Sequence, residues 1–86
     1  MSGGYRVEKE IEELVHGIKR IAGDSNKVTF GQLFKDDKLQ NTLESLFGTL
    51  KAARKREVIN FKGELLLQGV HDKEEITLLK PDYTAE

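Results

Sequence analysis

The sequence LFGTLKAARKR at residues 46–56, followed almost at once by VINF at residues 58–61, decides the fold of this chain. Apolar residues recur here and just upstream at the spacing of one helix face: Leu39, Leu43, Leu46, Phe47 and Leu50. The pattern predicts a helix over residues 42–55, and the cations of its last turn suit the negative end of the helix dipole. The β-branched and aromatic residues at 58–61 predict a strand. A helix that runs into a strand across a charged corner is typical of a winged-helix domain.

The region before this stretch predicts two further helices. Residues 7–22 follow helical spacing, and Gly23 suits the position just after a helix end. Thr29 and Gln32 have the spacing of a capping box, in which each residue satisfies a backbone N–H group of the other. The capping box predicts a short second helix over residues 30–35.

The remaining elements are expected from turn residues and short apolar runs. Residues 36–38 are expected to break the chain after the second helix, and Asn41 and Glu44 resemble a second capping motif that opens the third. Residues 27–30 predict a short strand or extended segment, and residues 76–79 predict a final strand. The side chains expected in the core are Leu14, Ile18, Phe34, Leu46, Phe47, Leu50, Phe61 and Leu78.

This order of elements predicts an α+β, winged-helix-like domain in which three helices pack on a small antiparallel sheet. The loop between the last two strands is the wing. We expect the domain at residues 7–80, between a flexible N-terminus at residues 1–6 and a flexible tail at residues 81–86. A chain of 86 residues has room for one modest core.

Composition and charge exclude several classes of protein. The chain has no cysteine, which excludes a disulfide scaffold and a thiol-ligated metal site. Its net charge of −1 argues against DNA as the main partner, because nucleic-acid-binding domains are usually basic. Nothing resembles a signal peptide, and no apolar run is long enough to cross a membrane. We therefore expect a cytoplasmic protein.

The residues that could carry chemistry do not form a catalytic constellation. His16 lies off the apolar stripe of its helix and is expected at the surface. His71 and Asp72 are neighbours in a polar loop, but no nucleophile accompanies them, which favours a turn in which Asp72 caps backbone N–H groups. Asp36 and Asp37 could bind a cation, yet one carboxylate pair is a weak signal. No catalytic residue, metal ligand or cofactor site is predicted.

The third helix offers a candidate surface for a protein partner. Opposite its apolar stripe it carries Asn41 and small residues, rather than the long polar side chains with which a DNA-reading helix contacts bases. The cations at its end either satisfy the helix dipole alone or also contact a partner. Because they outnumber what the dipole requires, we predict partner binding by Ser45, Gly48, Thr49, Lys51, Ala52, Lys55 and Arg56. Arg54 is expected to pack along its stem instead.

Three segments carry a family resemblance: LFKDDK at residues 33–38, GTLKAA at 48–53 and, above all, GELLLQGVHD at 63–72. Over residues 7–80 the chain resembles the Costars family. That family comprises small stand-alone eukaryotic proteins and the C-terminal domain of the actin-binding Rho-activating proteins of striated muscle. The resemblance implies a winged-helix-like fold, a role in actin-filament dynamics and cell motility, and neither catalysis nor a cofactor. The chain looks like the stand-alone form.

We therefore predict a non-enzymatic modulator of actin cytoskeleton dynamics, which binds actin or an actin-regulating protein. No small-molecule substrate and no membrane contact are expected, and the chain is expected to be a monomer. One alternative is a winged-helix protein that binds nucleic acid, although acidic residues in the wing would meet phosphates with the wrong sign. Another alternative is a structural domain that only associates subunits.

Overall fold

A computed structural model describes residues 3–63 and 66–84 of the chain. Its helices and strands follow in the order α1 (Gly3–Ala22), β1 (Lys27–Thr29), α2 (Phe30–Phe34), α3 (Asp37–Thr42), α4 (Leu46–Lys55), β2 (Ile59–Asn60) and β3 (Glu75–Leu78). The strands form one sheet in the order β1-β3-β2, and both pairings are antiparallel. The predicted α+β, winged-helix-like class is confirmed, with four helices rather than three among the described residues.

The first helix is longer than its sequence pattern predicts. It begins at Gly3, whereas we expected residue 7, and it ends at Ala22 as expected. Gly23 follows with φ of +65° and donates its N–H to the carbonyl of Lys19 at 3.1 Å. This left-handed conformation is one that glycine adopts without strain, which explains why the helix ends there. Residues 1, 2, 85 and 86 of the predicted flexible ends lie outside the described residues.

The second helix forms as its capping box predicts. The Thr29 hydroxyl accepts the N–H of Gln32 at 3.2 Å, and the Gln32 side-chain oxygen accepts the N–H of Thr29 at 2.8 Å. The helix ends at Phe34, one residue earlier than expected. The capping box therefore fixes the point at which β1 passes directly into α2.

The predicted break at residues 36–38 is wrong, because a helix begins there. Asp36 is the N-cap of α3, and its carboxylate accepts the N–H of Leu39 at 2.9 Å. The same carboxylate receives two hydrogen bonds from the Arg20 guanidinium, at 2.9 and 2.8 Å. The Arg20 hydrogen bonds hold the pKa of Asp36 below its usual value of 3.8. Asp36 thus starts α3 and ties it to α1.

The single third helix predicted over residues 42–55 is also wrong at its start. Leu43 is extended, with φ of −95° and ψ of 138°, and separates α3 from α4. The N-cap of α4 is Ser45, whose hydroxyl accepts the N–H of Gly48 at 3.0 Å. Asn41 lies within α3, and Glu44 stands before the cap, so they do not form the expected capping motif.

Helices α1 and α3 approach closely at Gly17. A methyl group built on Gly17 would lie 2.8 Å from one terminal carbon of Leu39 and 2.9 Å from the other. Both residues are buried. Packing against Leu39 therefore favours glycine at this position, although nothing in the local pattern of α1 predicts it.

The core contains most of the residues that the apolar pattern predicts. Five of the expected side chains are buried: Leu14, Ile18, Leu50, Phe61 and Leu78. Three were expected to be buried and are only partly so, namely Phe34, Leu46 and Phe47. For Leu46 and Phe47 the difference arises because α4 turns Thr49, Leu50 and Ala53 toward the core, whereas Phe34 is the last residue of α2. The predicted stripe is thus rotated relative to the observed one.

The sheet buries one face and exposes the other. Val28 of β1 lies opposite Ile76 of β3, and Ile59 of β2 lies opposite Leu78 of β3, all with buried side chains. The predicted strands at 27–30, 58–61 and 76–79 are confirmed as elements, each with slightly different bounds. No helix in the described part of the chain is both long and apolar enough to cross a membrane.

Candidate functional site

The N-terminal half of α4 lines a groove against α1. The groove has a volume of about 220 Å³ and is lined by Val7, Glu10, Glu44, Ser45, Gly48 and Thr49. Three of the predicted partner-binding residues therefore lie together here. Glu44 forms an ion pair with Arg6 of α1, and both side chains are largely exposed. Two of the lining residues are acidic, Glu10 and Glu44, and Arg6 offsets the charge of Glu44.

Thr49 does not face outward as the helical wheel predicted. It is only 4% exposed. Its hydroxyl donates to the carbonyl of Ser45 at 3.0 Å and lies 3.3 Å from a carboxylate oxygen of Glu10. The other Glu10 oxygen accepts the N–H of Glu44 at 3.3 Å. Thr49 thus joins α4 to α1, and its prediction as an exposed contact residue is wrong.

Gly48 is exposed, as the helical wheel predicted, and its nearest neighbour is Ser45, the N-cap residue of α4. A methyl group on Gly48 would lie 3.1 Å from the Ser45 hydroxyl, which itself holds the Gly48 N–H. In the described part of the chain, no atom of another helix or strand lies within 4 Å of that methyl position. Ala52 is half-buried and packs against the core, so it offers a partner less surface than expected.

The C-terminal end of α4 forms an exposed cationic corner, which we define as Lys51, Lys55, Arg56 and Lys80. The Arg56 guanidinium donates to the Ala52 carbonyl at 3.3 Å, and the Lys80 ammonium donates to the Arg56 carbonyl at 3.3 Å. None of the four takes part in an ion pair with another described residue. Sequence reasoning missed Lys80, because only the folded chain brings the end of β3 beside the end of α4.

The cationic corner has an apolar border. The Lys51 ammonium lies 5.5 Å from the centre of the Phe47 ring. Tyr83 is half-buried near Arg56, on the other side of the corner. Burial raises the pKa of Tyr83, the charge of Glu8 raises it further, and the charge of Arg56 opposes the shift. The corner therefore combines exposed cations with aromatic side chains, an arrangement that suits contact with an acidic protein surface.

Arg54 is half-buried and lies apart from the cationic corner, but its observed contacts are those of the guanidinium group, whereas packing along the stem was predicted. Its guanidinium carbon lies 4.1 Å from the centre of the Phe61 ring. The same group donates to the carbonyls of Phe61 at 3.2 Å and Gly63 at 2.6 Å. Arg54 thus fastens α4 to the first part of the wing.

The wing residues that could carry chemistry hold the backbone instead. A carboxylate oxygen of Asp72 accepts the N–H of Gly69 at 2.8 Å, which confirms the predicted capping role. The Nδ1 atom of His71 accepts the N–H of Leu67 at 3.0 Å. His16 is exposed, as expected. No group of three or more His, Cys, Asp or Glu residues in the described ranges could hold a metal ion.

The fold and this surface define a small α+β module of the winged-helix type, with a cationic corner at the end of α4. The chain belongs to the Costars family, whose model matches residues 6–79. A Costars family protein of Eutrema halophilum is 56% identical over 79 residues, which cover 87% of this chain and 86% of that protein. The Costars family protein ABRACL of Xenopus tropicalis is 50% identical over 78 residues, or 86% of this chain and 96% of that protein.

A solved structure supports the same assignment. The solution structure of human HSPC280 protein matches with a TM-score of 0.73 at 50% sequence identity. The match covers 85% of this chain and 91% of the human chain. The fold described above is therefore shared with a related protein whose structure was determined in solution.

Proposed function

We propose that this chain is a non-enzymatic modulator of actin cytoskeleton dynamics and cell motility, which acts in the cytoplasm by binding actin or an actin-regulating protein. The cationic corner is the observation that carries the proposal. Its four cations are exposed and have no ion-pair partner among the described residues. Membership of the Costars family supports actin as the pathway, because that family includes the C-terminal domain of actin-binding Rho-activating proteins.

The charge of the corner predicts how binding depends on salt. Actin has an acidic surface, and complementary charges across an interface mainly speed the encounter and orient the partners. Exposed charges are screened over a Debye length of about 8 Å at physiological ionic strength. Association should therefore be faster at low salt than at high salt, while the dissociation rate changes little.

Charge reversal tests the corner directly. The variant Lys51→Glu/Lys55→Glu/Arg56→Glu should slow association and remove most of its salt dependence, with little change in melting temperature. The control reverses Lys27, Lys35 and Lys38, which are also exposed and lie elsewhere. Cosedimentation with actin filaments, with and without an actin-depolymerising factor, measures the binding. Unchanged binding by the corner variant would overturn the assignment of this surface.

Gly48 tests whether contact extends from the corner along α4. Gly48 is the third residue of the helix, where glutamine can reach back to the N-cap backbone of Ser45. Gly48→Gln should therefore fold normally and weaken partner binding by filling the approach to the groove. If the domain unfolds instead, Gly48 is a packing residue and the interface does not include it.

Duplex DNA provides the test against nucleic acid binding. A protein that binds phosphates loses affinity steeply as salt rises. Asp72 and Glu74 of the wing, and Glu75 at the start of β3, are acidic residues of the part that would approach the DNA backbone in a winged-helix complex. Tight, salt-sensitive binding to duplex DNA, together with normal actin-pathway activity in the corner variant, would favour the nucleic-acid alternative.

A further inference from the structure

The wing exposes two aliphatic side chains on one turn. Among the described residues, the large hydrophobic side chains that are exposed are Leu67 at 46%, Val70 at 69% and Leu79 at 49%. Leu67 and Val70 flank a turn with Gln68 and Gly69, which we call the wing tip, residues 67–70. Single exposed aliphatic residues are ordinary on protein surfaces, but a tight turn normally uses polar residues.

Hydrogen bonds fix the shape of the wing tip. The carbonyl of Leu67 accepts the N–H groups of Val70 at 3.1 Å and His71 at 2.9 Å. The N–H of Leu67 is held by Nδ1 of His71, and that of Gly69 by the carboxylate of Asp72. Gly69 has φ of +84°, which places it in the left-handed region. The tip is therefore preorganised, although Leu67 and Val70 both remain exposed.

The wing is also fastened to the body of the domain. The N–H of Gly31 in α2 donates to the Asp72 carbonyl at 2.9 Å, and that of Phe30 donates to the Glu74 carbonyl at 2.9 Å. A methyl group on Gly31 would lie 3.1 Å from both the β-carbon and the carbonyl oxygen of Asp72. Leu66, next to the tip, is buried in the core. The domain thus holds two exposed aliphatic side chains in a fixed position.

We propose that the wing tip is an anchor, in which Leu67 and Val70 enter an apolar pocket on a protein partner whose rim carries Lys or Arg side chains. Aromatic and Arg side chains are the commonest interface anchors, but any side chain that fills a well-packed pocket from which water is excluded gains the free energy of burying its apolar surface. A tip that is already ordered loses little conformational freedom on binding. This inference rests on the proposed function, since it places the pocket on the same actin or actin-regulating protein.

Charge and size favour a protein pocket over a lipid surface or a second copy of the chain. Residues 66–75 contain three acidic residues, Asp72, Glu74 and Glu75, and one cation, Lys73, which gives a net charge of −2 (+1 − 3). An anionic membrane would repel this segment, whereas a cationic rim would attract it. The two side chains expose on the order of 100 Å² of apolar surface. A standard interface buries about 800 Å² on each partner, so the tip is an anchor within a larger contact rather than a dimer interface.

Binding kinetics separate the wing tip from the cationic corner. The variant Leu67→Ser/Val70→Ser changes no charge, so it should leave the association rate and its salt dependence unchanged. Loss of an anchor should raise the dissociation rate about tenfold or more. Leu79→Ser is the matched control, because Leu79 is an equally exposed aliphatic residue outside the wing. Val70→Ser alone provides a milder variant, and melting temperatures establish that each variant is folded.

The probes are purified actin filaments, actin monomers and an actin-depolymerising factor, used with the full chain. If the Leu67→Ser/Val70→Ser variant dissociates at the wild-type rate while the corner variant still associates more slowly, the wing-tip proposal is overturned and the proposed function stands. Tip-dependent binding to phosphatidylcholine vesicles with phosphatidylserine would make lipid the occupant and overturn the inference. If the wild type forms a dimer and the Leu67→Ser/Val70→Ser variant does not, the occupant is a second copy of the chain, and the inference is overturned. Failure of the wild type to bind any probe overturns both proposals.

Discussion

Replacing Gly17 with alanine tests how closely α1 and α3 approach. In an ordinary helical position the change should stabilise the protein by about 1 kcal/mol, because alanine is the better helix former. Here the added methyl group would lie 2.8 to 3.0 Å from three carbons of Leu39, well inside normal contact. Overpacking of a well-packed core costs about 1–3 kcal/mol. Gly17→Ala should therefore destabilise the domain by about 0–2 kcal/mol, the balance of the two effects.

A second substitution reverses the sign of this effect. Leu39→Ala alone should cost about 2–5 kcal/mol, because the side chain is buried. In that background the obstruction is gone, so Gly17→Ala should now stabilise the domain by about 1 kcal/mol. The coupling between the two sites should thus be about 1–3 kcal/mol, as expected of residues in contact.

Urea denaturation followed by circular dichroism measures these free energies. Gly48→Ala is the matched control, because an added methyl group there meets only the Ser45 side chain, at 3.1 Å or more. That control should hold or raise stability. If Gly17→Ala stabilises the wild type as much as it stabilises the Leu39→Ala variant, the two helices do not approach as the structure indicates, and the reasoning is refuted.

Three further predictions concern the core, the cap of α3 and the wing. Leu50→Ala should lower the unfolding free energy by about 2–5 kcal/mol and Leu46→Ala by less, because Leu50 is fully buried and Leu46 only partly. Chemical denaturation of both variants measures these losses. A larger loss for Leu46→Ala than for Leu50→Ala would contradict the observed orientation of α4. The pKa of Asp36 is lowered in the folded state, so its contribution to stability is present above the unfolded pKa and is lost as pH falls through the folded pKa. Asp36→Asn keeps the cap but removes the titration, so stability measured from pH 7 to pH 2 should decline less steeply below about pH 4 in the variant. His71→Ala should speed amide hydrogen exchange within the wing tip and weaken partner binding, because the N–H of Leu67 loses its acceptor. His71→Asn keeps an acceptor and should restore slow exchange and binding. Equal exchange rates in the two variants would show that the His71 hydrogen bond does not fix the wing tip.

The sequence predicts those elements of the fold that short-range chemistry determines. The apolar repeat of α1, the glycine that ends it and the capping box of α2 each involve residues a few positions apart. The division between α3 and α4 escapes this reasoning for a physical reason. Leu39, Leu43, Leu46 and Leu50 are separated by four, three and four residues, which are all helical spacings. Periodicity alone cannot reveal that Leu43 is extended, because Leu43 is buried in the core as Leu39 and Leu50 are.

The candidate site was predicted in part. The errors in that prediction also arise because local patterns in the sequence do not show how distant segments pack. The charges at the end of α4 are visible in the sequence, and they are exposed in the structure. The helical wheel placed Thr49 outward because it assumed one helix whose stripe continues from α3, whereas α4 has its own cap and orientation. Lys80 and the contact between Gly17 and Leu39 depend on residues that lie more than twenty positions apart, so no local pattern could show them.

The two proposed contact surfaces have complementary physical roles. The cationic corner lies at a helix end where long, mobile side chains reach into solvent, which suits attraction over a distance but holds a partner weakly. The wing tip itself is short, uncharged and fixed by the His71 and Asp72 hydrogen bonds, which suits a long-lived contact, while the acidic residues next to it select a cationic pocket rim. A module of 86 residues that uses both could associate quickly and dissociate slowly without a large interface. It follows that a variant lacking both surfaces should lose binding through both rates, whereas each single variant should change only one.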